Sequence, residues 1–521
     1  MKRFFITIGA ILVSLTTFSQ GQMDALKYST NELMGTARSV AMGGAFGALG
    51  GDISGIAINP AGIGIYKTSE IVTTMNFRNN NIETQLNNGA IDKGKFSFTF
   101  DNMAFVGTIP TFNDDVPLIN FGFSYNRLKN FDQTYSMRGI NQSNSLTDLI
   151  ANSSYDINEQ YLKNFNTDKP YEDWLSILGY QSFLINPNGT NTGGEQMYAS
   201  VLPSGHEIDN VLHVKESGYI NSYDFNAGTT IANMVSFGAT VSVTDINYQI
   251  YSFYDESFDN NKNRGYSLEN NLKTEGAGLQ VKTGVIVKPV EELRIGIAYH
   301  SPTWYKMTNY FSASIDHDIR DFVPDAYKND YNPEYIEYGV HTREYDFKTP
   351  DKWTFSLAGI IAKQAIVSID YELTNYNKMS FDEPDGNGFA NPYDGDQNAY
   401  IKEDFRNSST LRIGAEYRIT PQFSGRIGYS WQQSPIKATL KNGNETGHVP
   451  SMAGPISHYA LPKDANYFTY GLGYRFSPQF YGDVAFVMKN QDSDLYAFGG
   501  ADKATFKNST FSGLLTFGYR F

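Results

Sequence analysis

The residues that could carry out chemistry are few, and their spacing matches no familiar catalytic site. Cysteine is absent, which excludes disulfides, thiolate metal ligands and thiol nucleophiles. His206-Glu207 lacks the second histidine of a zinc-protease helix, and no GxxxxGK[ST] phosphate loop occurs. The 7 histidines suggest no specific partner for a nucleophilic serine. The sequence therefore predicts no catalysis and no tightly bound cofactor.

An acidic stretch offers oxygen ligands of the kind that divalent cations prefer. It runs Asp382-Glu383-Pro384-Asp385-Gly386-Asn387-Gly388, followed by Asp394 and Asp396. It lacks the ending of a twelve-residue calcium loop, so an acidic surface turn is the favoured interpretation. We predict no metal site.

Charge and composition narrow the class of protein. The net charge of −14 argues against a nucleic-acid partner, because phosphate binding needs clustered Lys and Arg. Hydrophobic residues make up 40% of the chain and aromatic residues 15%, with 36 Tyr, 36 Phe and 47 Gly. This composition suits a barrel with an apolar outside and a polar inside, and it also suits a large soluble β-protein.

The amino terminus has the pattern of a secretory signal peptide. Lys2 and Arg3 precede an apolar run from Phe4 to Leu15, and a mostly polar stretch follows. The apolar run is too short to anchor the protein, so a retained helix is the less favoured alternative. We predict that residues 1–19 are a signal peptide.

Alternation of side-chain type is the strongest signal in the chain. Between Leu411 and Ile419 the odd positions are apolar or aromatic and the even positions are charged or small. The same alternation runs from Phe423 to Trp431 and from Phe468 to Phe476. It recurs in the last residues of the chain, from Leu515 to Phe521. Strand side chains point to opposite faces at every second residue. Strands of this length with an aromatic face are typical of membrane-spanning barrels.

A soluble sandwich also alternates, and the connections distinguish the two. In a membrane barrel, short turns and long loops follow one another strictly, and this order is seen here. We therefore predict an all-β fold, a transmembrane antiparallel β-barrel of about fourteen strands in residues 70–521. A long extracellular insertion with helices is predicted at 131–216. The strands are placed near 70–79, 94–109, 116–130, 217–232, 234–256, 264–288, 292–316, 336–362 (interrupted around Pro350), 365–382, 404–420, 422–437, 464–476, 479–490 and 508–521.

Residues 20–69 do not alternate and form a separate segment. Gly35 to Gly64 is dense in Gly and Ala, which allows close packing and positive φ angles. The run also contains many large apolar residues, too many for a solvated tail. We interpret the segment as a plug, or hatch, inside the barrel lumen; a periplasmic extension is the alternative.

The chain resembles the FadL/TodX family of outer-membrane transporters for long-chain fatty acids and other hydrophobic compounds. The resemblance is strongest at Ala37-Arg38-Ser39-Val40-Ala41-Met42-Gly43-Gly44-Ala45, at Asp52 and at Asn59-Pro60-Ala61-Gly62. Weaker matches are Gly296–Pro302, Pro350–Trp353, Leu411–Gly414 and Arg426–Tyr429 with Ser434-Pro435. The resemblance implies a fourteen-stranded barrel with a lumenal hatch in the bacterial outer membrane.

The resemblance also implies a route for the ligand. Family members are thought to capture a hydrophobic ligand at the surface, hold it near the hatch and release it sideways through the wall. On this chain the hatch candidates for ligand contact are Asn59, Pro60 and Ala61. Asn59 could hydrogen-bond exposed backbone at a wall kink, or Asn-Pro could simply terminate a hatch turn. Gly122 is a candidate for such a kink.

Surface capture needs exposed apolar groups, and two amphipathic stretches of the insertion supply candidates. The stretches are Ser145 to Phe165 and Tyr171 to Ile185, and the second contributes Trp174, Leu178 and Phe183 as predicted ligand-binding residues. The helices form either a landing groove or a cap that packs on itself.

The predicted function is passive transport of long-chain fatty acids or similar hydrophobic molecules, with outer-membrane lipid as the surrounding partner. One alternative is a barrel of the same family that carries a surface protein or serves a secretion system. A second alternative is an outer-membrane lipid hydrolase.

Overall fold

The computed structural model describes residues 21–521 except positions 88, 164–173, 204, 259–260, 332–335, 383, 385–394, 441–449 and 451. The predicted signal peptide lies outside the described residues. One antiparallel sheet of eighteen strands dominates the structure. Its strands are β1 (Glu70–Leu86), β2 (Gly89–Pro110), β3 (Leu118–Asn130), β4 (Gln133–Gln142), β7 (Ile208–Ile231), β8 (Val235–Phe258), β9 (Asn261–Val290), β10 (Leu293–His300), β11 (Trp304–Asp318), β12 (Ile336–Lys348), β13 (Lys352–Ile361), β14 (Ala365–Asn375), β15 (Ser380–Asp382), β16 (Asn407–Arg418), β17 (Phe423–Gln432), β18 (Tyr459–Arg475), β19 (Phe480–Tyr496) and β20 (Ala504–Arg520).

The sheet closes on itself as a barrel. β1 pairs with β2 on one side and with β20 on the other, from Glu70–Arg520 to Gln85–Thr505. The eighteen strands form fourteen spans, because β3 with β4, β10 with β11, β12 with β13 and β14 with β15 are interrupted spans. The predicted fold class is confirmed.

The strand faces explain why the chain closes in this way. On β18 the outward side chains Phe468, Tyr470, Leu472 and Tyr474 are 38–46% exposed, while the alternate residues are buried inside. On β8 the outward side chains are apolar from Phe237 to Val243 and mostly polar from Asp245 onward, with the aromatic residues Tyr251 and Phe253 between them. An apolar outer band of limited height therefore surrounds the barrel, and the strands extend beyond it at the end that carries the long loops.

Short helices make up most of the remaining structure. A small hairpin, β5 (Ile185–Thr190) with β6 (Gln196–Ser200), lies in the long insertion. The helices are α1 (Gln22–Ser29), α2 (Ala37–Ala41), α3 (Ile53–Ile58), α4 (Leu146–Ser153), α5 (Glu159–Lys163), α6 (Trp174–Gln181) and α7 (Gly395–Asp404), with 3-10 turns at Pro60–Ile65 and Tyr376–Lys378. None of the helices in the described ranges has the length and apolarity needed to cross a membrane.

The amino-terminal segment, residues 21–69, lies inside the barrel, and we call it the hatch. It contacts the wall on several sides. The backbone amide of Ala37 donates to Thr516 on β20 at 2.7 Å, and that of Gly47 donates to Asp370 on β14 at 2.8 Å. On β3, Asn120 donates to the carbonyl oxygen of Ile63 at 2.8 Å. Because the contacts reach strands around the wall, the hatch fills the lumen.

Residues 146–163 and 174–200 form a cap over the end with the long loops. The cap helices α4 and α6 share one buried apolar cluster with α1 of the hatch. A fully buried carboxylate holds the start of α4: Glu256 on β8 accepts hydrogen bonds from the Leu146 amide at 3.1 Å and from Ser145. Tyr254 and Tyr266 also donate to Glu256, at 2.7 and 3.2 Å.

Candidate functional site

A cavity of about 220 Å³ lies in the lumen between the hatch and the wall. Its lining has two characters. One part is apolar and includes Met23, Leu26, Phe131, Met452 and Phe506. The other part is charged and includes Lys27, Glu32, Arg78, Lys129, Glu216 and Lys489. An amphipathic molecule therefore finds both an apolar surface and fixed charges here.

Glu32 of the hatch neutralises two of the cavity's cations. Arg78 on β1 forms a two-pronged pair with its carboxylate, at 2.5 and 3.1 Å, and Lys489 on β19 approaches at 2.9 Å. Burial by itself raises the pKa of Glu32, but Arg78 and Lys489 outweigh it and hold that pKa well below the usual range. This ion cluster ties the hatch to two strands of the wall.

Lys129, at the end of β3, has a different environment. Its ammonium donates to the carbonyl oxygen of Lys27 at 2.7 Å and to the hydroxyl of Thr30 at 2.5 Å. Both acceptors are neutral, and no carboxylate in the described part of the chain lies within ion-pair distance of Lys129. The cavity thus contains a lysine amine that, in its protonated form, can donate hydrogen bonds to an anionic group.

The wall beside this cavity is incompletely paired. The ladder between β2 and β3 runs from Asn102–Asn126 to Pro110–Leu118 and covers the end with the short turns. The part of β2 that precedes Asn102, from Gly89 to Asp101, pairs with β1 alone among the described strands. We call the unpaired edge between β2 and the end of β3 the wall gap.

The gap arises because the third span bends inward. β3 ends at Asn130 and β4 begins at Gln133. β4 then crosses the inner side of the neighbouring strands: Thr84 on β1 donates to the carbonyl oxygen of Ser136, and the ring of Tyr135 lies 5.0 Å from Phe506 on β20. The predicted kink residue Gly122 lies instead within the continuous ladder, opposite Val106.

Three polar contacts bridge the wall gap. Lys95 on β2 forms an ion pair with Asp132 at 3.1 Å and donates to the carbonyl oxygen of Glu216 at 3.3 Å. Asn130 approaches Ser97 at 3.5 Å. Asn130 and Glu216 also line the cavity. The cavity and the wall gap therefore adjoin.

The three predicted hatch residues lie together against the wall. The Asn59 amide donates to the carbonyl oxygens of Gly47 at 2.7 Å and of Val285 on β9 at 3.3 Å. Its side-chain oxygen accepts from the Ala61 amide at 3.1 Å. Asn59 thus terminates a hatch turn and also bonds wall backbone. A Cβ at Gly238 on β8 would overlap the backbone of Pro60, so the hatch and wall touch here through backbone alone.

The three predicted loop residues lie in the cap. Leu178 is fully buried and Trp174 is 5% exposed, with ring contacts to Phe311 at 5.2 Å and His341 at 4.5 Å. Phe183 is half-buried against Tyr331. This burial supports a cap that packs on itself. The landing groove stays a prediction, and so does ligand contact at all six residues. The described lining of the cavity includes none of the six.

Sequence reasoning missed the charged residues of the cavity and the gap. Lys95 and Arg78 occupy inward positions of alternating strands, where a charge signals a lumenal role. The charges at these inward positions could be read from the sequence, but the residues with which Lys95 and Arg78 form ion pairs could not. Most of the acidic stretch at 382–396 lies outside the described residues. In the ranges that the structure covers, no cluster of His, Asp and Glu could hold a metal ion.

A closed fourteen-span barrel with an apolar outer band and a filled lumen defines a transmembrane β-barrel with a lumenal plug. A family model described as "Outer membrane protein transport protein (OMPP1/FadL/TodX)" matches residues 221–510, more than half of the chain. The protein belongs to this family. The match begins within β7, so the hatch resemblance at Ala37–Gly62 is separate from it.

Solved structures agree on the fold. A Pseudomonas aeruginosa FadL homologue is similar with a TM-score of 0.54 and 14% identity, covering 94% of this chain and 99% of the other. The Pseudomonas putida toluene transporter TodX gives a TM-score of 0.52 at 12% identity, with coverage of 94% and 99%. A TodX variant described as a monoaromatic hydrocarbon channel gives 0.55 at 11% identity, with coverage of 94% and 100%. No curated protein sequence matches the chain.

The family and the fold together place the protein in the bacterial outer membrane. They identify it as a transport protein for hydrophobic compounds and not as an enzyme. The predicted family, location and broad function are confirmed.

Proposed function

We propose that the protein passively carries long-chain fatty acids, or amphiphiles of similar shape, and releases them sideways through the wall gap. The observation that carries the proposal is the position of Lys129. This cation, bonded only to neutral oxygens, lies in a half-apolar cavity that adjoins an unpaired edge of the wall.

The two characters of the cavity match the two ends of a fatty acid. A carboxylate gains a charge-assisted hydrogen bond from Lys129. The hydrocarbon next to it gains about 0.8 kcal/mol for each CH₂ removed from water, along the surface that includes Leu26, Phe131 and Phe506. The cavity accommodates the head and the first part of the chain, and the tail extends toward the gap.

The lumen below the cavity favours a sideways exit. Inward-facing charges on the wall at this level include Asp224 with Lys282 on β9, and Glu372 on β14 with Arg412 on β16. The hatch fills the lumen further toward the short turns. An apolar tail beside these ion pairs would displace water from the charged groups, and that desolvation is costly, whereas the wall gap leads toward lipid.

The predicted hatch and loop residues have roles within this proposal. Asn59, Pro60 and Ala61 form the part of the hatch that contacts the wall, and a shift there would enlarge the space below the cavity. Trp174, Leu178 and Phe183 belong to the cap that a ligand must pass to enter. These roles are proposals that the binding experiment below does not depend on.

The test is binding and uptake of a labelled sixteen-carbon fatty acid by the full-length protein in detergent and in liposomes. Lys129→Met removes the unpaired cation and keeps most of the side-chain volume. We expect it to weaken fatty-acid binding about tenfold or more, because a hydrogen bond to a charged group is lost. Lys507→Met is the matched control, since Lys507 forms an exposed pair with Glu83 on the outer surface, at 2.8 Å.

Equal fatty-acid affinity in Lys129→Met and in the wild type would overturn the assignment of the head-group site. Absence of uptake by the wild type in liposomes would overturn the proposed function itself.

A further inference from the structure

The contacts across the wall gap are side-chain contacts, in a barrel whose other neighbours are joined by backbone ladders. The charged contact is the ion pair between Lys95 and Asp132, whose side chains are 25% and 27% exposed. The alternation of β2 places Lys95 on the inward side, opposite the outward-facing Phe96 and Phe98. Lys95 is therefore reached from the lumen, not from the lipid.

The ion pair lies next to the cavity. Asp132 follows Phe131, which lines the cavity, and Lys95 donates to the carbonyl oxygen of Glu216, which also lines it. A molecule that leaves the cavity through the gap passes between Lys95 and Asp132.

We propose that Lys95 and Asp132 form a latch that a carboxylate ligand opens by exchange. This inference rests on the proposed function and adds how the exit selects its ligand. The carboxylate of the ligand replaces Asp132 on the Lys95 ammonium, and the edges of β2 and β3 separate. A neutral molecule of the same shape leaves the latch closed, because it cannot replace a carboxylate as the partner of an ammonium.

The physics of partly exposed ion pairs makes such an exchange feasible. Water screens the attraction between Lys95 and Asp132, so the pair contributes little net stability. An arriving carboxylate gives Lys95 an equivalent partner, and the displaced Asp132 carboxylate, whose side chain is 27% exposed, takes up water in place of the ammonium. Replacement by a hydroxyl would leave two charges unpaired in the narrow gap, which is unfavourable. A fatty acid should therefore pass the wall gap faster than an alcohol of equal chain length.

The first experiment compares uptake of hexadecanoic acid and hexadecanol into liposomes that contain the full-length protein. Asp132→Asn removes the competing carboxylate, and Lys95→Met removes the cation. We expect both variants to raise uptake of the alcohol about twofold to fivefold, the range set by a weak ion pair. Lys95→Met should also take up the acid more slowly than Asp132→Asn. Lys507→Met should match the wild type for both ligands.

A second experiment locks the gap. The chain has no cysteine, so Ser97→Cys with Asn130→Cys places two thiols on facing edges of the gap, where the native Asn130 amide nitrogen and Ser97 hydroxyl lie 3.5 Å apart, and mass spectrometry verifies that oxidation forms the disulfide. We expect oxidation to stop uptake and reduction to restore it in the same preparation. Ile109→Cys with Ile119→Cys, at directly opposite positions of the intact ladder, is the matched control and should be insensitive to oxidation.

The outcomes separate the two proposals. If the wild type transports the acid but the acid-to-alcohol ratio is unchanged in Lys95→Met and Asp132→Asn, the latch is wrong and the proposed function stands. Unimpaired uptake by the oxidised Ser97–Asn130 cysteine pair would also overturn the latch. If the wild type transports neither ligand, the proposed function fails first.

Discussion

The side-chain amide of Asn59 donates a 2.7 Å hydrogen bond to the carbonyl oxygen of Gly47, and so joins two segments of the hatch. The same amide reaches Val285 of the wall. A single buried side chain thus links the two hatch segments to each other and to the barrel. The stability of the plug depends on a few such contacts, and they can be removed one at a time.

Asn59→Ala should loosen the hatch and leave the barrel intact. The substitution leaves the carbonyl oxygen of Gly47 and the amide of Ala61 without a side-chain partner, at a cost of about 1–3 kcal/mol for each buried group. We expect faster hydrogen exchange in peptides from residues 44–64 and unchanged exchange in β16 to β20. Asn81→Ala, at an exposed outward position of β1, is the control and should change neither. Unchanged exchange in 44–64 would contradict the role of Asn59.

Gly238→Ala should displace the hatch from the opposite side of the same contact. Its new methyl group would overlap the Pro60 backbone and lie 2.7 Å from the Ala61 nitrogen. Backbone cannot rotate away as a side chain can, so the hatch must shift. Limited proteolysis from the short-turn side should then cut the hatch sooner. Gly513→Ala, whose methyl group would meet nothing nearer than 3.8 Å, should behave as the wild type. Equal cleavage rates in both variants would refute this.

The barrel could be predicted from the sequence because its rule is local. A two-residue rhythm identifies a strand wherever one face meets lipid, as from Phe468 to Tyr474, and the turn order identifies the barrel. The interruption at Pro350 was also predictable, since proline lacks the amide that a ladder needs. It falls between β12 and β13, where the structure has it.

The wall gap and the charged cavity depend on relations that the sequence does not encode locally. The break between Asn130 and Gln133 carries no proline or glycine, and the inward bend of β4 follows from packing of Tyr135 against Phe506. Similarly, Glu32 meets Lys489 across 457 positions of sequence. Such partners depend on barrel closure and register, which one sequence without homologues does not fix.

The contribution of Glu32 to the attachment of the hatch should depend on pH only in acid. Glu32 belongs to the hatch and not to a membrane-spanning strand. Burial raises the pKa of its carboxyl group, but the nearby charges of Arg78 and Lys489 lower that pKa by more, so the net shift is downward. A carboxylate whose folded pKa is depressed stabilises the folded form above its unfolded pKa of about 4.3, and the contribution falls as the pH drops below that value. The difference in hatch protection between the wild type and Glu32→Gln, measured by hydrogen exchange and corrected for the intrinsic rate, should therefore be constant from pH 8 to 5 and shrink below about pH 4.

Glu32→Gln is the variant for this pH series. It removes the charge, so hatch protection should already be reduced at pH 7 and should change less on acidification. Glu83→Gln, at the exposed pair with Lys507, is the control and should keep the wild-type profile. A difference between the wild type and Glu32→Gln that shrinks between pH 7 and 5 would contradict the depressed pKa.

Glu256→Ala should release the cap without disturbing the hatch or the barrel. The carboxylate accepts from Ser145, the Leu146 amide, Tyr254 and Tyr266 in a site closed to water. Removing the acceptor leaves these donors without a hydrogen-bond partner, at a cost in stability of about 1–3 kcal/mol for each donor. Helix α4 also loses the group that holds its first turn. Exchange in peptides from 145–155 should accelerate while exchange in the hatch stays unchanged. Glu269→Ala, at an exposed hydrogen bond to Tyr251, should leave both regions unchanged. If α4 keeps its protection without Glu256, the apolar cluster shared with α1 is sufficient to hold the cap, and ligand entry must be controlled elsewhere.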